Sequence, residues 1–147
     1  MISKIKAFFQ QFEQADQVPE AELTIDMAVS VLLVEVMKAD GMITDDEQQT
    51  MATLLMSAFS LTPLEVDDIM EHAIALSENA TDFYRFTSIL NQQYSPEQKI
   101  EMVSLLWQLA KADGEVAAIE QHVIRKIGDL LHLRQAEYIK AKDLALQ

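Results

Sequence analysis

The sequence contains an internal repeat, and this repeat constrains the fold more than any other feature. When the sequence is aligned with itself so that Lys38 matches Lys111, an apolar pair, a Lys-Ala-Asp-Gly tetrapeptide and a glutamate each align with a second copy. The matched sets are residues 32–33 with 105–106, residues 38–41 with 111–114, and Glu47 with Glu120. Farther along, the register slips by one, so that Leu61 and Glu65 fall on Leu133 and Glu137. Each half is therefore predicted to hold an apolar helix, an Asp-Gly turn, an amphipathic helix and a further helix.

Helices are predicted along the whole chain, because it has only three glycines and little β-branched alternation. Threonine or serine followed three residues later by glutamate or glutamine predicts helix starts at Thr44, Thr62 and Ser95. The Asp-Gly pairs at Gly41 and Gly114 predict helix ends, because glycine accepts a positive φ without steric cost. Up to eight helices are predicted. In the first half they cover about 2–15, from Pro19 to the first Asp-Gly pair, 44–59, and a segment that starts at Thr62. In the second half one starts at Thr81, one runs from Ser95 to the second Asp-Gly pair, one follows that pair and ends at about 131, and the last covers about 134–146.

These elements predict an all-α, single-domain protein of seven or eight helices, internally duplicated about a pseudo-two-fold axis. Residues 1–23 would form an N-terminal helix and linker, residues 24–80 the first repeat and residues 81–147 the second. The near-continuous apolar segments 28–38 and 100–110 are expected to cross at the centre of the core. The eight methionines fit either core filling or an adaptable binding groove, with core filling as the default.

Composition excludes several classes of function. A net charge of −13 argues against nucleic acid as a partner, and the absence of cysteine removes thiol catalysis and thiolate metal sites. No apolar run approaches the roughly 18 residues of a membrane span, and no signal peptide is recognisable, so a cytoplasmic location is expected. His72, His122 and His132 form no metalloprotease-type pair, and no nucleophile–base motif occurs, so no enzymatic activity is expected.

The acidic charge is concentrated in residues 1–80, which carry 15 acids and three bases, against nine acids and eight bases in residues 81–147. Such a surface is either a solvated face that keeps the protein in solution or a face that attracts cations or basic partners.

The doubled motif Lys-Ala-Asp-Gly-x-(Ile/Val)-x-x-x-Glu, in a small acidic helical chain, resembles the tellurite-resistance TerB family. The same fold occurs at the N-terminus of DjlA-type co-chaperones, and the likeness covers roughly residues 24–146. The resemblance implies an acidic cluster that binds a divalent metal, formed here by Asp40, Glu47, Asp113 and Glu120. The second copy departs from the pattern, because residues 117–119 contain no acid and no capping hydroxyl.

The residues themselves leave two readings of this cluster open. In an EF-hand loop that ends at Glu47, the first and third ligand positions would be Val36 and Lys38. Neither residue can donate a carboxylate, so an ion would need ligands from both turns. The cation would then be calcium, magnesium or manganese, unless Lys38 or Lys111 neutralises the carboxylates instead.

In the alternative reading, the aspartates bond local backbone groups and the glutamates only cap helices. The first reading predicts a non-enzymatic cation-binding module in a metal or oxyanion stress response. The second predicts an adaptor that docks a protein partner without any metal.

Overall fold

The structure, a computed structural model, describes residues 24–39, 41–79 and 83–146, without the side chains of Asn79 and Asp113. This part of the chain contains seven α-helices and no strand. They are α1 (Ile25–Met37), α2 (Asp45–Phe59), α3 (Pro63–Asn79), α4 (Tyr84–Gln93), α5 (Pro96–Ala110), α6 (Ala118–Leu130) and α7 (Gln135–Leu146), with a 3₁₀ turn (Lys111–Asp113) after α5. The all-α prediction is confirmed, while the helix predicted over residues 2–15 lies outside the described residues.

The helix starts predicted at Thr44, Thr62 and Ser95 are confirmed. The Thr44 hydroxyl accepts the Glu47 N–H at 3.1 Å, and the Glu47 carboxylate accepts the Thr44 N–H at 3.0 Å. Ser95 and Gln98 make the same reciprocal pair at the start of α5. Each pair satisfies two backbone donors that a helix N-terminus otherwise leaves without a partner.

The predicted start of α1 is wrong. This helix begins at Ile25 and not at Pro19, because Thr24 is extended and its hydroxyl accepts the Met27 N–H at 3.3 Å. Pro19 itself lies outside the described residues.

The predicted start of α4 is also wrong. This helix begins at Tyr84 and not at Thr81, and its first backbone bonds are accepted by the carbonyl of Phe83, at 3.1 and 3.0 Å. The N-cap position thus falls on Phe83, whose side chain makes no capping bond. Thr81, like Pro19, is not among the described residues.

Helices α1 and α5 lie at the centre of the molecule, as predicted. Ten of the 13 residues of α1 are buried, and α1 contacts five of the other helices. Helix α5 packs against α1 and α7, with Leu106, Trp107 and Leu109 buried. Most methionines of the described residues fill the core, as predicted, and the buried ones among them are Met27, Met37, Met51, Met70 and Met102.

The two halves share several local features. Ser60 after α2 and His132 after α6 both have positive φ, at 53° and 63°. The next residue in each case, Leu61 or Leu133, donates its N–H to the carbonyl five residues earlier, at 3.2 and 3.1 Å. Contacts across the halves are also reciprocal, because α1 touches α6 and α5 touches α2. These features are what a duplicated fold requires, and superposition of the two complete halves stays a prediction.

Candidate cation site at the two Asp-Gly turns

The two turns share two backbone features at their glycines. In the first turn Gly41 has a φ of 90° and donates its N–H to the Lys38 carbonyl at 3.0 Å. In the second turn Gly114 has a φ of 106° and donates to the Lys111 carbonyl at 2.9 Å. The prediction of positive φ at both glycines is confirmed, and each tetrapeptide therefore closes on its own lysine carbonyl.

Glu47 and Glu120 lie just after these turns, and both are buried, with 1% and 5% of their surface exposed. One oxygen of Glu47 accepts the N–H and the hydroxyl of Thr44, at 3.0 and 3.1 Å. One oxygen of Glu120 accepts the Ala117 N–H at 2.9 Å, and Ala117 has no side-chain oxygen to return the bond. Both carboxylates therefore cap helices, at the positive ends of α2 and α6.

The other two predicted ligands cannot be placed in the same way. Asp40 lies outside the described residues, and so does the side chain of Asp113. The backbone of the second turn is placed, however, and it packs against α2. Ala112 lines a surface pocket of about 410 Å³ together with Asp46, Gln49 and Thr50 of α2. The second turn therefore lies beside the helix whose first turn carries Glu47.

The ammonium groups of the two lysines of the motif bind at the ends of other helices. The ammonium of Lys38 donates to the Ser77 carbonyl at 3.1 Å and to the Ser77 hydroxyl at 2.8 Å, and it lies 3.4 Å from Glu35. The ammonium of Lys111 donates to the Ala145 carbonyl. Each lysine thus reaches the C-terminal end of α3 or α7, where helix carbonyls have no partner within the helix. Sequence reasoning missed this role, because each partner belongs to another helix that comes much later in the chain.

The histidines lie apart from the turns in sequence. His72 pairs with Asp68 one helical turn earlier in α3, at 2.7 Å to the Asp68 carbonyl and 3.6 Å to its carboxylate. His122 and His132 are exposed. Among residues 24–39, 41–79 and 83–146, no three acids or histidines are grouped in a way that would hold a metal ion. The carboxylates of Asp40 and Asp113 lie outside the described part of the chain, so the four-carboxylate site stays a prediction.

The fold and the turns define a class: a small, acidic, all-helical domain with two Asp-Gly turns, each followed by a buried capping glutamate. The family model described as "Tellurite resistance protein TerB" matches residues 26–143, and the chain belongs to the TerB family. No curated protein and no solved structure matches the chain. Within the described part, no helix has the length and apolar character needed to cross a membrane.

Proposed function

We propose that this TerB-family chain is a non-enzymatic module that binds one divalent cation between its two Asp-Gly turns. The cation would be held by Asp40, Glu47, Asp113 and Glu120, as part of a cytoplasmic response to metal or oxyanion stress. One observation carries the proposal: the 3₁₀ turn that bears Asp113 packs against α2, whose first turn bears Glu47. Ligands from both turns are needed, since neither turn alone offers enough oxygens.

The position of the glutamates is compatible with a cation at this place. Glu47 and Glu120 are both buried, and one oxygen of each accepts the backbone N–H that caps its helix. A cation bound near the turns would add positive charge beside these carboxylates. A set of carboxylate oxygens suits calcium, magnesium or manganese better than zinc.

Thermal unfolding with calcium, magnesium, manganese or zinc chloride tests the proposal. A cation present at 100 times its dissociation constant should add about 2.7 kcal/mol to the free energy of unfolding. We expect this gain for at least one of the first three ions, and its loss in Asp40→Asn and in Asp113→Asn. Asp143→Asn, an exposed acid of α7, is the control that should keep the gain.

Glu47→Gln separates the cation from the helix cap. Gln98 already caps α5 through its side-chain oxygen, so glutamine at position 47 should preserve the cap while removing the charge. We expect Glu47→Gln to unfold near the wild-type temperature without cation and to lose the gain with cation. If no ion shifts the unfolding, or if Asp40→Asn keeps the shift, the cation site does not exist.

The second candidate function is an adaptor that docks a protein partner, with both turns purely structural. The observation that favours it is that Met42, next to the first turn, is 68% exposed, and Ile119, in the first turn of α6, is 51% exposed. A photo-crosslinking residue at either position in cells should trap one and the same partner. Leu64, which is 68% exposed in α3, is the matched control and should not trap it.

A further inference from the structure

A groove of about 970 Å³ opens on the surface between the first turn of α1, the end of α2, the end of α4 and one side of α5. Its apolar lining comes from Ile25, Leu54, Phe59, Tyr94, Met102 and Leu105. All of these except Met102 are only partly buried, and they lie on the edge of the main core. The groove is therefore an extension of the core that the described residues do not close.

The charge of the groove is acidic. Asp26 and Glu101 are its ionisable carboxyl groups, and no Lys or Arg of the described residues lines it. Burial raises the pKa of the Tyr94 phenol, and the negative charges of Asp26 and Glu101 raise it further. An occupant that matches this surface needs apolar side chains on one face and positive charge close by.

The chain itself carries such a segment, directly before the groove. Thr24, the first described residue, lines the groove, so the preceding residues start at its rim. The sequence predicts a helix over residues 2–15 whose apolar stripe is formed by Ile5, Phe8, Phe9 and Phe12, at the spacing of a single helix face. Residues 2–15 contain two lysines, Lys4 and Lys6, and one acid, Glu13, so the segment has a net positive charge.

The connecting residues are long enough for this segment to fold back. Residues 16–23 can span up to roughly 26–29 Å when extended, at about 3.3–3.6 Å per residue. A helix over residues 2–15 is about 21 Å long, at 1.5 Å per residue. We propose that the groove between α1, α2, α4 and α5 is the docking site of the chain's own N-terminal segment, residues 2–15. Its phenylalanine stripe covers the apolar lining, and its lysines face Asp26 and Glu101.

The test uses the full-length chain and changes each side of the contact in turn. Phe8→Ser/Phe9→Ser removes the stripe, and Gln10→Ser/Gln14→Ser changes the opposite face of the same predicted helix. We expect the first variant to shift the backbone amide resonances of the groove residues Leu54, Ala58, Tyr94 and Leu105. The control variant should leave these resonances in place. Unchanged groove resonances in the first variant would overturn the proposal.

The reciprocal change places a positive charge inside the groove. Ala58→Lys alters an exposed groove position of α2, and Gln49→Lys alters an exposed position of the same helix outside the groove. We expect Ala58→Lys to speed amide hydrogen exchange in residues 5–12 by about tenfold or more, because it releases the segment, and Gln49→Lys to leave exchange unchanged. Equal exchange rates in the two variants would overturn the proposal.

Sedimentation identifies the molecule that supplies the segment. A monomer at every concentration, together with the two results above, supports docking within one chain. A dimer that Phe8→Ser/Phe9→Ser dissociates would show that a second copy fills the groove, and the intrachain proposal would then be wrong. Neither result depends on cation binding, because the groove and the Asp-Gly turns share no residue.

Discussion

Four glutamates hold the starts of four helices by the same bond. Each side chain accepts the backbone N–H of the residue three positions earlier, at distances of 2.8 to 3.0 Å. The pairs are Glu47 with Thr44, Glu65 with Thr62, Glu120 with Ala117, and Glu137 with Arg134. At Glu65 and Glu137 the bond to the backbone N–H lowers the pKa of the carboxyl, because it favours the charged form, and it thereby couples stability to pH.

Glu65 gives a pH prediction. The Thr62 backbone N–H, and then the Thr62 hydroxyl, lower the pKa of the Glu65 carboxyl below its ordinary value of 4.5. A lowered pKa means that this stabilisation is complete above pH 4.5 and is lost as the pH falls through the folded-state pKa. We expect Glu65→Gln, which keeps an accepting oxygen, to make the loss of stability below pH 4.5 shallower. The exposed residue Glu97 supplies the control, Glu97→Gln, and identical pH curves for both variants would contradict the prediction.

The turn glycines give a second prediction at this scale. A Cβ at Gly41 or Gly114 would meet nothing within 4 Å, so the cost of alanine there comes from the backbone alone. We expect Gly41→Ala and Gly114→Ala each to lower the free energy of unfolding by about 1–3 kcal/mol. The cost follows from the positive φ of both residues, 90° and 106°, which a residue with a side chain rarely adopts. Chemical denaturation measures both values, and wild-type stability in both variants would show that the turns are described wrongly.

At the scale of elements, α2 and α6 begin differently although they follow equivalent turns. Helix α2 has both bonds of its capping box, whereas the N-cap residue of α6, Ala117, has no side-chain oxygen to accept the second bond. The backbone of Ala117 is nonetheless suited to a cap, because its φ of −66° and ψ of 153° resemble those of Ser95, at −72° and 164°. The start of α6 therefore lacks only the side-chain oxygen of a capping residue.

We expect Ala117→Ser to supply that oxygen and to raise the free energy of unfolding by about 1 kcal/mol. Thr44→Ala is the inverse change at the equivalent helix start and should lower it by about the same amount. Thermal unfolding of both variants measures the two shifts. A destabilised Ala117→Ser protein would mean that Ala117 is not the N-cap residue of α6.

The lysine contacts give a second prediction for elements. Lys111→Met should remove the ammonium from the C-terminal carbonyls of α7 and lower the free energy of unfolding by about 0.3–1 kcal/mol. Hydrogen exchange should become faster at the last turn of α7, because its carbonyls lose a donor. Lys38→Met should act in the same way on α3. Faster exchange at the Asp-Gly turns, without faster exchange at the ends of α3 and α7, would show that the lysines stabilise the turns instead.

At the scale of the whole molecule, stability is expected to depend on the crossing of α1 and α5. Leu106 of α5 is fully buried, and α5 contacts α1 directly. We expect Leu106→Ala to lower the free energy of unfolding by about 2–5 kcal/mol, because it leaves a cavity that the packed helices fill incompletely. Leu64→Ala is the control at a side chain that is 68% exposed, and it should change stability little. Equal losses in the two variants would contradict a core centred on this crossing.

Short-range signals in the sequence were enough to predict most of the helix boundaries and both turns. The starts at Thr44, Thr62 and Ser95 and the positive φ of Gly41 and Gly114 depend on interactions between near neighbours in the chain, so a local pattern specifies them. The start of α1 was misjudged because Pro19 is also a favourable first residue of a helix, whereas the hydroxyl that caps α1 belongs to Thr24. The TerB resemblance likewise followed from the sequence alone, because the motif recurs in both halves at nearly constant spacing.

Tertiary structure decided the features that join distant parts of the chain. Lys38 contacts Ser77 and Lys111 contacts Ala145 only because the helices pack together, and the second turn packs against α2 for the same reason. The packing also leaves a groove between helices that come from both halves of the sequence. These contacts depend on the angles and distances at which whole helices pack, and those follow from the joint filling of the core by many side chains. A short motif specifies its own turn and cap, but it does not specify which helix end its lysine will reach.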